Sequence, residues 1–353
     1  MNKQYYLNHS KIDVLFKQNK DDFCVTEIPL YEFSGTGEHL VIKIRKKDLA
    51  TWDAVEIIAK HLGCRPRDIG YAGLKDKNAL TIQSISVHKQ YEEKLNSFSH
   101  KNIKILSTTY HDNKIKVGHL KGNSFFIRLK RVTVIEANKI QQVLKTITQH
   151  GIPNYFGFQR FGIDGDNYKK GKDIIDGKLK EKRRNLSQMY VNAYQSHLFN
   201  SWLSSRIEVS KLVAAFEPKV ICEKLDLPLD IVKSMKKQAH PFKLLPGDLM
   251  SHYPYGKIFH VEALEEEAGK FNLRDRVATG LLAGKKVKKS IDLAYKYEEE
   301  FDLETKEDGT RRFAWIFPSE IQSNYKEDKN WFELQFDLPK GSYATEVISE
   351  LIH

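Results

Sequence analysis

Strand-like sequence stands at both ends of this chain, and a mainly helical middle separates the two ends. Alternation of apolar and polar residues predicts strands at 13–18, 22–33, 38–45, 80–87, 103–111, 114–120 and 123–132, and again at 311–318 and 331–339. Helical spacing predicts helices at 51–62, 136–151 and 185–208, charged and mainly helical sequence up to about Glu307, and a closing helix from about Tyr343. This arrangement indicates one α+β domain that is interrupted by an inserted domain.

The length of 353 residues agrees with a chain of about two domains. We predict that the interrupted domain consists of residues 1–154 and 309–353, and that the inserted domain consists of residues 155–308. Hydrophobic residues make up 41% of the chain, which is enough for a packed core and excludes a disordered protein.

Charge and cysteine content point to the cellular setting. Lys and Arg number 57 and Asp and Glu number 46, and the net charge of +11 favours a polyanionic partner such as nucleic acid. Three scattered cysteines, Cys24, Cys64 and Cys222, argue against disulfides and against a cysteine-based zinc site, so we expect a reducing cytoplasm. No run of about 18 apolar residues and no secretion signal is present, and we expect no membrane association.

Several cofactor motifs are incomplete in this sequence. The glycines of "GTGEHL" (35–40) lack the third glycine of a dinucleotide loop, and no Walker-type phosphate loop occurs. The "HVE" at 260–262 matches half of a zinc deaminase signature, but no cysteine pair follows it. We therefore expect neither a nucleotide cofactor nor a metal.

Basic residues form four clusters, at 43–47, 169–172, 178–184 and 285–289. Any one cluster is commonly a solvated surface, but three of the four fall in the middle third of the chain. This asymmetry favours an inserted domain that offers one basic face to a phosphate backbone. If it does not, the cluster at 43–47 is the next candidate.

Two short segments carry unusual side chains. "NYFGFQRFG" (154–162) places Gln159 and Arg160 between two Phe-Gly steps, which suits either a loop that stacks on a base or a hinge into the inserted domain. "GYAGLKDKNALTIQ" (70–83) places Asp76 between Lys75 and Lys77. On spacing alone, such an aspartate is usually a solvated turn residue.

Taken together, these segments resemble the TruD type of tRNA pseudouridine synthase. The resemblance covers essentially the whole chain and rests on five stretches in the order of the family: "AGLKDKNALT" (72–81), "LKGNSF" (120–125), "PNYFGFQRFG" (153–162), "AYQSHLFN" (193–200) and "LPKGSYATEVISELI" (338–352). It implies a pseudouridine synthase catalytic domain with a mixed or antiparallel sheet, interrupted by a mainly helical α/β TRUD domain.

The resemblance also implies roles for individual residues. Asp76 would be the catalytic carboxylate, and Lys17 would lie at the active site. By the resemblance, Lys17, Asn123, Phe125 and Tyr343 would bind the substrate, and the composition of the loop at 154–162 adds Phe158, Gln159 and Arg160 to that prediction. The lysines beside Asp76 and the basic clusters of the middle third predict the contacts to the RNA backbone, which are Lys75, Lys77, Lys169, Lys170, Lys182, Arg183, Arg184, Lys285 and Lys286. Because neighbours in an extended segment point to opposite faces, Lys75 and Lys77 suit phosphates, and Lys17 is the expected partner of Asp76.

The implied reaction is conversion of uridine to pseudouridine in tRNA, at position 13 of the D arm, by a cytoplasmic monomer without cofactor, metal or protein partner. Asp76 would act as a nucleophile at C1′ or as a base at C2′, and the sequence leaves both routes open. An RNA-binding factor without catalysis is the competing class, although it would not require this set of residues. An RNA methyltransferase would require a glycine-rich cofactor loop, which the sequence lacks.

Overall fold

The computed structural model describes residues 3–16, 19–75, 77 and 79–353. Its helices are α1 Thr51–Leu62, α2 Glu92–Leu95, α3 Val134–His150, α4 Asn167–Ile175, α5 Arg184–Ala215, α6 Pro218–Leu225, α7 Leu229–Lys237, α8 Leu264–Asn272, α9 Asp292–Lys296 and α10 Ala344–Ile352. Its strands are β1 Phe23–Pro29, β2 His39–Lys46, β3 Gly70–Tyr71, β4 Leu80–His88, β5 Ile103–His111, β6 Leu120–Lys130, β7 Ile152–Pro153, β8 Leu249–His252, β9 Ile258–His260, β10 Arg276–Leu282, β11 Thr310–Phe313, β12 Trp315–Ile316, β13 Ser319–Lys326 and β14 Trp331–Pro339.

The chain packs as two compact units. Residues 12–141 and 318–341 form the first, which we call the sheet unit. Residues 1–11, 142–317 and 342–353 form the second, which we call the helical unit. The domain boundaries predicted from the sequence, at 154/155 and 308/309, stay a prediction, since packing groups both ends of the chain with the middle.

The sheet unit is built on an eight-stranded mixed sheet in the order β13-β14-β6-β1-β4-β2-β5, with β3 beside β4. β1 and β4 are parallel, whereas β14 pairs antiparallel with β6. The predicted α+β class is therefore confirmed, and strands from both parts of the chain share one sheet. Helix α1 begins and ends where the apolar spacing predicts, and it buries Val55, Ile58 and Leu62 against Ile42 and Ile44 of β2.

The helical unit is organised around the long helix α5, which contributes Phe199, Trp202 and Leu203 to a buried core. A four-stranded sheet, in the order β11-β10-β8-β9, packs with it. The mainly helical sequence predicted up to about Glu307 contains α6 to α9, and it also contains β8, β9 and β10, which the sequence did not predict. Gly280 of β10 lies directly against the Trp202 ring of α5, and a Cβ at this position would not fit. The absence of a side chain therefore allows the sheet to pack closely on α5.

Two local predictions fail, and one strand has no counterpart among the predictions. The predicted strand at 114–120 does not form before Leu120, the first residue of β6, because Gly118 adopts φ +95° and its N–H donates to Ala72 O rather than to a ladder. Within 13–18, the described residues form only a single bridge, between Leu15 and Lys130. β13 was not predicted, since it is an exposed strand at the end of the sheet order without an apolar alternation. No helix in the described part of the chain is long and apolar enough to cross a membrane.

Candidate active site

The predicted catalytic Asp76 and the predicted active-site Lys17 lie outside the described residues. The residues around Asp76 in the sequence are described in part, and they identify the surroundings of the segment. Lys77 is exposed, as expected for a residue that contacts RNA phosphates, whereas Lys75 is buried. The two lysines that flank Asp76 therefore have different environments.

Lys75 is held inside the sheet unit by an ion pair. Its side chain is 5% exposed, and Nζ lies 3.0 Å from Oε2 of Glu27, whose side chain is 2% exposed. Nζ also donates a hydrogen bond of 2.7 Å to Oδ1 of Asn123. The structure thus replaces the predicted phosphate contact of Lys75 by an internal one, because a buried charge requires a partner that water no longer supplies.

The main chain of Lys75 is fixed as well. Its N–H donates to Oγ1 of Thr51, the first residue of α1, at 2.9 Å. The Thr51 hydroxyl in turn donates to Oε1 of Gln83 on β4, at 3.0 Å. Both ends of Lys75 are therefore anchored to regular secondary structure, which places the residue preceding Asp76 with little freedom.

A second buried lysine, Lys46, supports the same segment and was not predicted. Lys46 ends β2 on the face that carries Ile42 and Ile44, and it is fully buried. Its Nζ donates to Leu49 O at 2.7 Å and to Lys75 O at 3.4 Å. The sequence does contain a signal for this position, because Lys46 follows Ile42 and Ile44 at the spacing of one strand face, and that face points into the core.

Beside these residues, β4 carries two polar side chains that are almost completely buried. The hydroxyl of Thr81 and Nε2 of Gln83 have no hydrogen-bond partner among the described residues. Buried polar atoms without a partner are costly in a folded protein. The start of β4, close in sequence to Asp76, therefore carries buried polar groups whose hydrogen bonds the described residues do not supply.

Asn123 and Phe125, both predicted to line a uridine pocket, lie two residues apart on β6 and therefore on one face of the sheet. Phe125 is 6% exposed and packs between Phe23 and Phe336, with ring centroids 6.1 and 5.7 Å away. Asn123 is half-buried and pairs across the ladder with Glu27. The structure thus brings Asn123, Phe125 and Lys75 together in the sheet unit.

The other predicted substrate-binding residues belong to the helical unit. Phe158 is 64% exposed and Gln159 is exposed, on a single helical turn. Arg160 is half-buried, and its Nε donates to Oγ of Ser196 on α5 at 3.0 Å. Tyr343 reaches the same loop, because a Cβ on Gly157 would lie 2.9 Å from Cδ1 of Tyr343.

Two sequence motifs of the helical unit are direct partners. The amide of Asn200, at the end of "AYQSHLFN", accepts a hydrogen bond from Phe156 N at 2.8 Å and donates one to Phe156 O at 3.0 Å. It thereby holds the middle of "NYFGFQRFG" by both backbone groups of one residue. The loop is therefore preorganised by α5, and this favours a binding surface rather than a flexible hinge.

Arg312 also fixes this loop and had no signal in the sequence. It donates to the carbonyl and side-chain oxygens of Asn154 at 3.1 and 2.9 Å, and its Cζ lies 3.8 Å from the ring centroid of Phe156. Burial lowers the pKa of Arg312 to about 10, so the guanidinium keeps its charge at neutral pH.

The predicted backbone ligands of the helical unit are surface residues. Lys169, Lys182, Arg184, Lys285 and Lys286 are exposed, and Lys170 is half-buried. Arg183 pairs with Glu181 at 3.2 Å on the surface, where such a pair contributes little. Among the described residues, no group of three or more His, Cys, Asp or Glu side chains could hold a metal ion.

The sheet unit carries a further basic feature, which we call the basic groove. It is a cavity of about 600 Å³, and the cationic or titratable residues that line it are Arg45, Lys46, Lys47, His100, Lys101 and Lys104, with Asp21 beside them. Lys47 pairs with Asp21 at 3.0 Å, which leaves an excess of positive charge along the groove. The alternative basic cluster of the sequence, at 43–47, thus contributes to a concave surface.

Known proteins match this chain over essentially its whole length. The family model of tRNA pseudouridine synthase D (TruD) matches residues 1–184 and 179–351. A tRNA pseudouridine synthase D of a Nitratiruptor species is 53% identical to this chain, and the alignment covers 100% of this chain and 98% of that protein. The Helicobacter pylori protein of the same name is 47% identical, with 98% of this chain and 94% of that protein aligned.

The fold has a solved counterpart. A crystal structure from Methanosarcina mazei, described as a TruD protein, superposes with a TM-score of 0.71 at 21% identity, over 99% of this chain and 95% of that one. The likeness supports the fold, and the matches in sequence establish the family. This chain belongs to the TruD family of tRNA pseudouridine synthases.

Proposed function

We propose that this protein isomerises uridine to pseudouridine in tRNA, at position 13 of the D arm, with Asp76 as the catalytic carboxylate. Membership of the TruD family over the full chain carries the proposal. The hydrogen bond from Lys75 to Asn123 supports it locally, because it ties the residue before Asp76 to the strand that holds Asn123 and Phe125.

The reaction breaks the N1–C1′ bond of uridine, turns the detached uracil and forms a new bond from C1′ to C5, while the C5 hydrogen is replaced by one on N1. No atom is gained or lost, and no cofactor is required. Asp76 attacks C1′ as a nucleophile or removes a proton from C2′ as a base. The target base leaves its stack, and Asn123 and Phe125 supply a polar group and an apolar wall for it.

Substitution of Asp76 tests the catalytic role. Asp76→Asn keeps the shape of the side chain and removes its charge, so pseudouridine formation is expected to stop while tRNA affinity stays within about twofold. Pseudouridine mapping in a tRNA transcript and in total RNA from cells with and without the protein gives the readout. Product from the purified variant in a single turnover would contradict the role of Asp76. Unmodified tRNA with the wild type would favour an RNA-binding factor.

We further propose that the RNA backbone contacts Lys77 and the exposed cations of the helical unit, and that the protein acts as a cytoplasmic monomer. Each phosphate that is neutralised in a duplex contributes about −0.9 to the slope of log K against log salt. Replacement of Lys285 and Lys286 by Glu should therefore flatten the slope and weaken binding, independently of the target sequence. We leave Lys289 unchanged, because its partner Asp302 is largely buried, whereas Lys286 lies 3.7 Å from Asp308 and both of those side chains are exposed.

The matched control is Lys219→Glu with Lys224→Glu, two exposed lysines on α6 that give the same change in net charge. A third variant, Lys101→Glu with Lys104→Glu, changes the basic groove. If only the groove variant flattens the slope, the RNA backbone lies in the sheet unit and the helical cluster is a solvated surface. Equal effects in all three would indicate net charge alone.

A further inference from the structure

The side chain of Asn123 is held in one orientation by chemistry that leaves no ambiguity. A lysine ammonium donates hydrogen bonds and cannot accept them. The atom of Asn123 that faces Lys75 Nζ, at 2.7 Å, must therefore be the carbonyl oxygen Oδ1. The amide NH2 group is the part that remains, and it has no hydrogen-bond partner among the described residues.

This orientation depends on Glu27. The Glu27 carboxylate lies 3.0 Å from Lys75 Nζ, and a buried ammonium without such a partner would be strongly disfavoured. Oε1 of Glu27 also accepts a long hydrogen bond from Ser84 N on β4, at 3.4 Å. Glu27 on β1 and Asn123 on β6 are cross-strand neighbours. Lys75 therefore bridges two residues that are already held side by side by the sheet.

We propose that Glu27 and Lys75 are positioning residues that turn the NH2 group of Asn123 toward the target base, so that the site accepts a carbonyl-bearing uracil and rejects an amino-bearing cytosine. The inference rests on the proposed function and refines it. Uracil and cytosine share a carbonyl acceptor at C2 and differ at C4, where uracil carries a carbonyl acceptor and cytosine an NH2 donor, so the selectivity requires that the NH2 group of Asn123 faces C4. Two donors that face each other leave both unsatisfied in a partly dry site.

The most direct test reverses the polarity of the site. Asn123→Asp keeps the oxygen that accepts from Lys75 and replaces the outward NH2 group by an acceptor. We measure equilibrium binding of two tRNA transcripts that carry uridine or cytidine at the target position. The wild type should prefer the uridine transcript about tenfold or more, and Asn123→Asp should prefer the cytidine transcript. Asn113→Asp, an exposed residue of the same unit, is the matched control and should keep the wild-type preference.

A second variant removes the positioning pair without leaving one charge buried alone. Glu27→Leu with Lys75→Met frees the Asn123 amide to turn, so the preference for uridine should fall to about twofold or less, and Thr51 still fixes the main chain of residue 75. A merely structural loss would weaken binding of both transcripts equally and leave their ratio unchanged.

The outcomes separate this inference from the proposed function. If the wild type forms pseudouridine but both variants keep its preference, the inference is wrong and the proposed function stands. If the wild type forms no pseudouridine, both are wrong. Reversal by Asn123→Asp together with loss of preference in the double variant would establish the positioning roles of Glu27 and Lys75.

Discussion

Replacement of Asn200 by alanine gives a strong test of how α5 shapes the loop at 154–162. Asn200 is 4% exposed, and its amide satisfies both backbone groups of Phe156, at 2.8 and 3.0 Å. Asn200→Ala leaves a buried N–H and a buried C=O without these partners. Each such group costs about 1–3 kcal/mol, so the gross loss is about 2–6 kcal/mol.

Two effects reduce this loss. Alanine has a higher helix propensity than asparagine, by up to about 0.7 kcal/mol, and a water molecule that enters the vacated space recovers part of the hydrogen bonding. We therefore expect the free energy of unfolding to fall by about 3 kcal/mol. Asn192→Ala on the same helix is the control, since the side chain of the half-buried Asn192 accepts one hydrogen bond, from the Gln188 side chain at 2.9 Å, and its backbone carbonyl keeps the bond from Ser196 after the substitution. We expect a change there within about 0.5 kcal/mol.

The assay is urea unfolding followed by tryptophan fluorescence, because Trp202 lies two residues from Asn200 on the same helix. The midpoint should shift to lower urea at an unchanged slope. Equal midpoints for Asn200→Ala and Asn192→Ala would refute the reasoning, since the loop would then hold its backbone without the amide. tRNA binding by Asn200→Ala at low temperature, where the variant is folded, should weaken if the loop is a preorganised binding surface.

Two further predictions concern activity and pH. Phe125→Leu should lower kcat/KM about 10- to 100-fold in a pseudouridine assay, because base stacking of this kind contributes about 1–3 kcal/mol. The control for packing is Phe336→Leu, which changes the neighbouring ring. Equal activity of the two variants would mean that Phe125 is a core residue only. Burial raises the pKa of Glu350 from 4.5 to about 7, so between these pH values the folded state holds a proton that the unfolded state releases. The protonated carboxyl therefore contributes about 3 kcal/mol to the free energy of unfolding, and this contribution is complete below pH 4.5 and is lost as the pH rises to about 7. Glu350→Gln, which can still accept from Tyr6 N and Leu7 N, should abolish that part of the pH dependence in urea unfolding, and parallel curves for the two proteins would contradict it.

The sequence predicted what depends on local pattern. Helix α1 and the strands β5 and β14 occupy the predicted residues, because their apolar spacing decides which face is buried. β13 was not predicted, since its exposed side chains leave no apolar alternation in the sequence. The strand predicted at 114–120 was wrong for the residues before Leu120, because their alternation is not used for strand pairing.

Around the candidate site, the limit was tertiary contact. Asn123 and Phe125 could be named through the family resemblance, but the inward turn of Lys75 could not, because it depends on Glu27, a residue 48 positions earlier. Arg312 stabilises Asn154 across an even longer separation in sequence. Alternation along an extended segment predicts which residues share a face, but it does not predict which of the two faces lies against an opposite charge.

The strand order of the sheet unit has a consequence for synthesis on the ribosome. β6 pairs on one side with β1 and on the other with β14, so half of its hydrogen-bonding groups have no partner until residue 339 has been made. At about 5–20 residues per second, the nascent chain carries β6 as an open edge for about 10–40 s. Open edges recruit other strands, and Lys121, the exposed cation of β6, is suited to repel a second nascent chain, whereas Arg128 and Lys130 pair with Asp22, which is made earlier. We therefore expect that Lys121 affects the yield of folded protein more than its final stability.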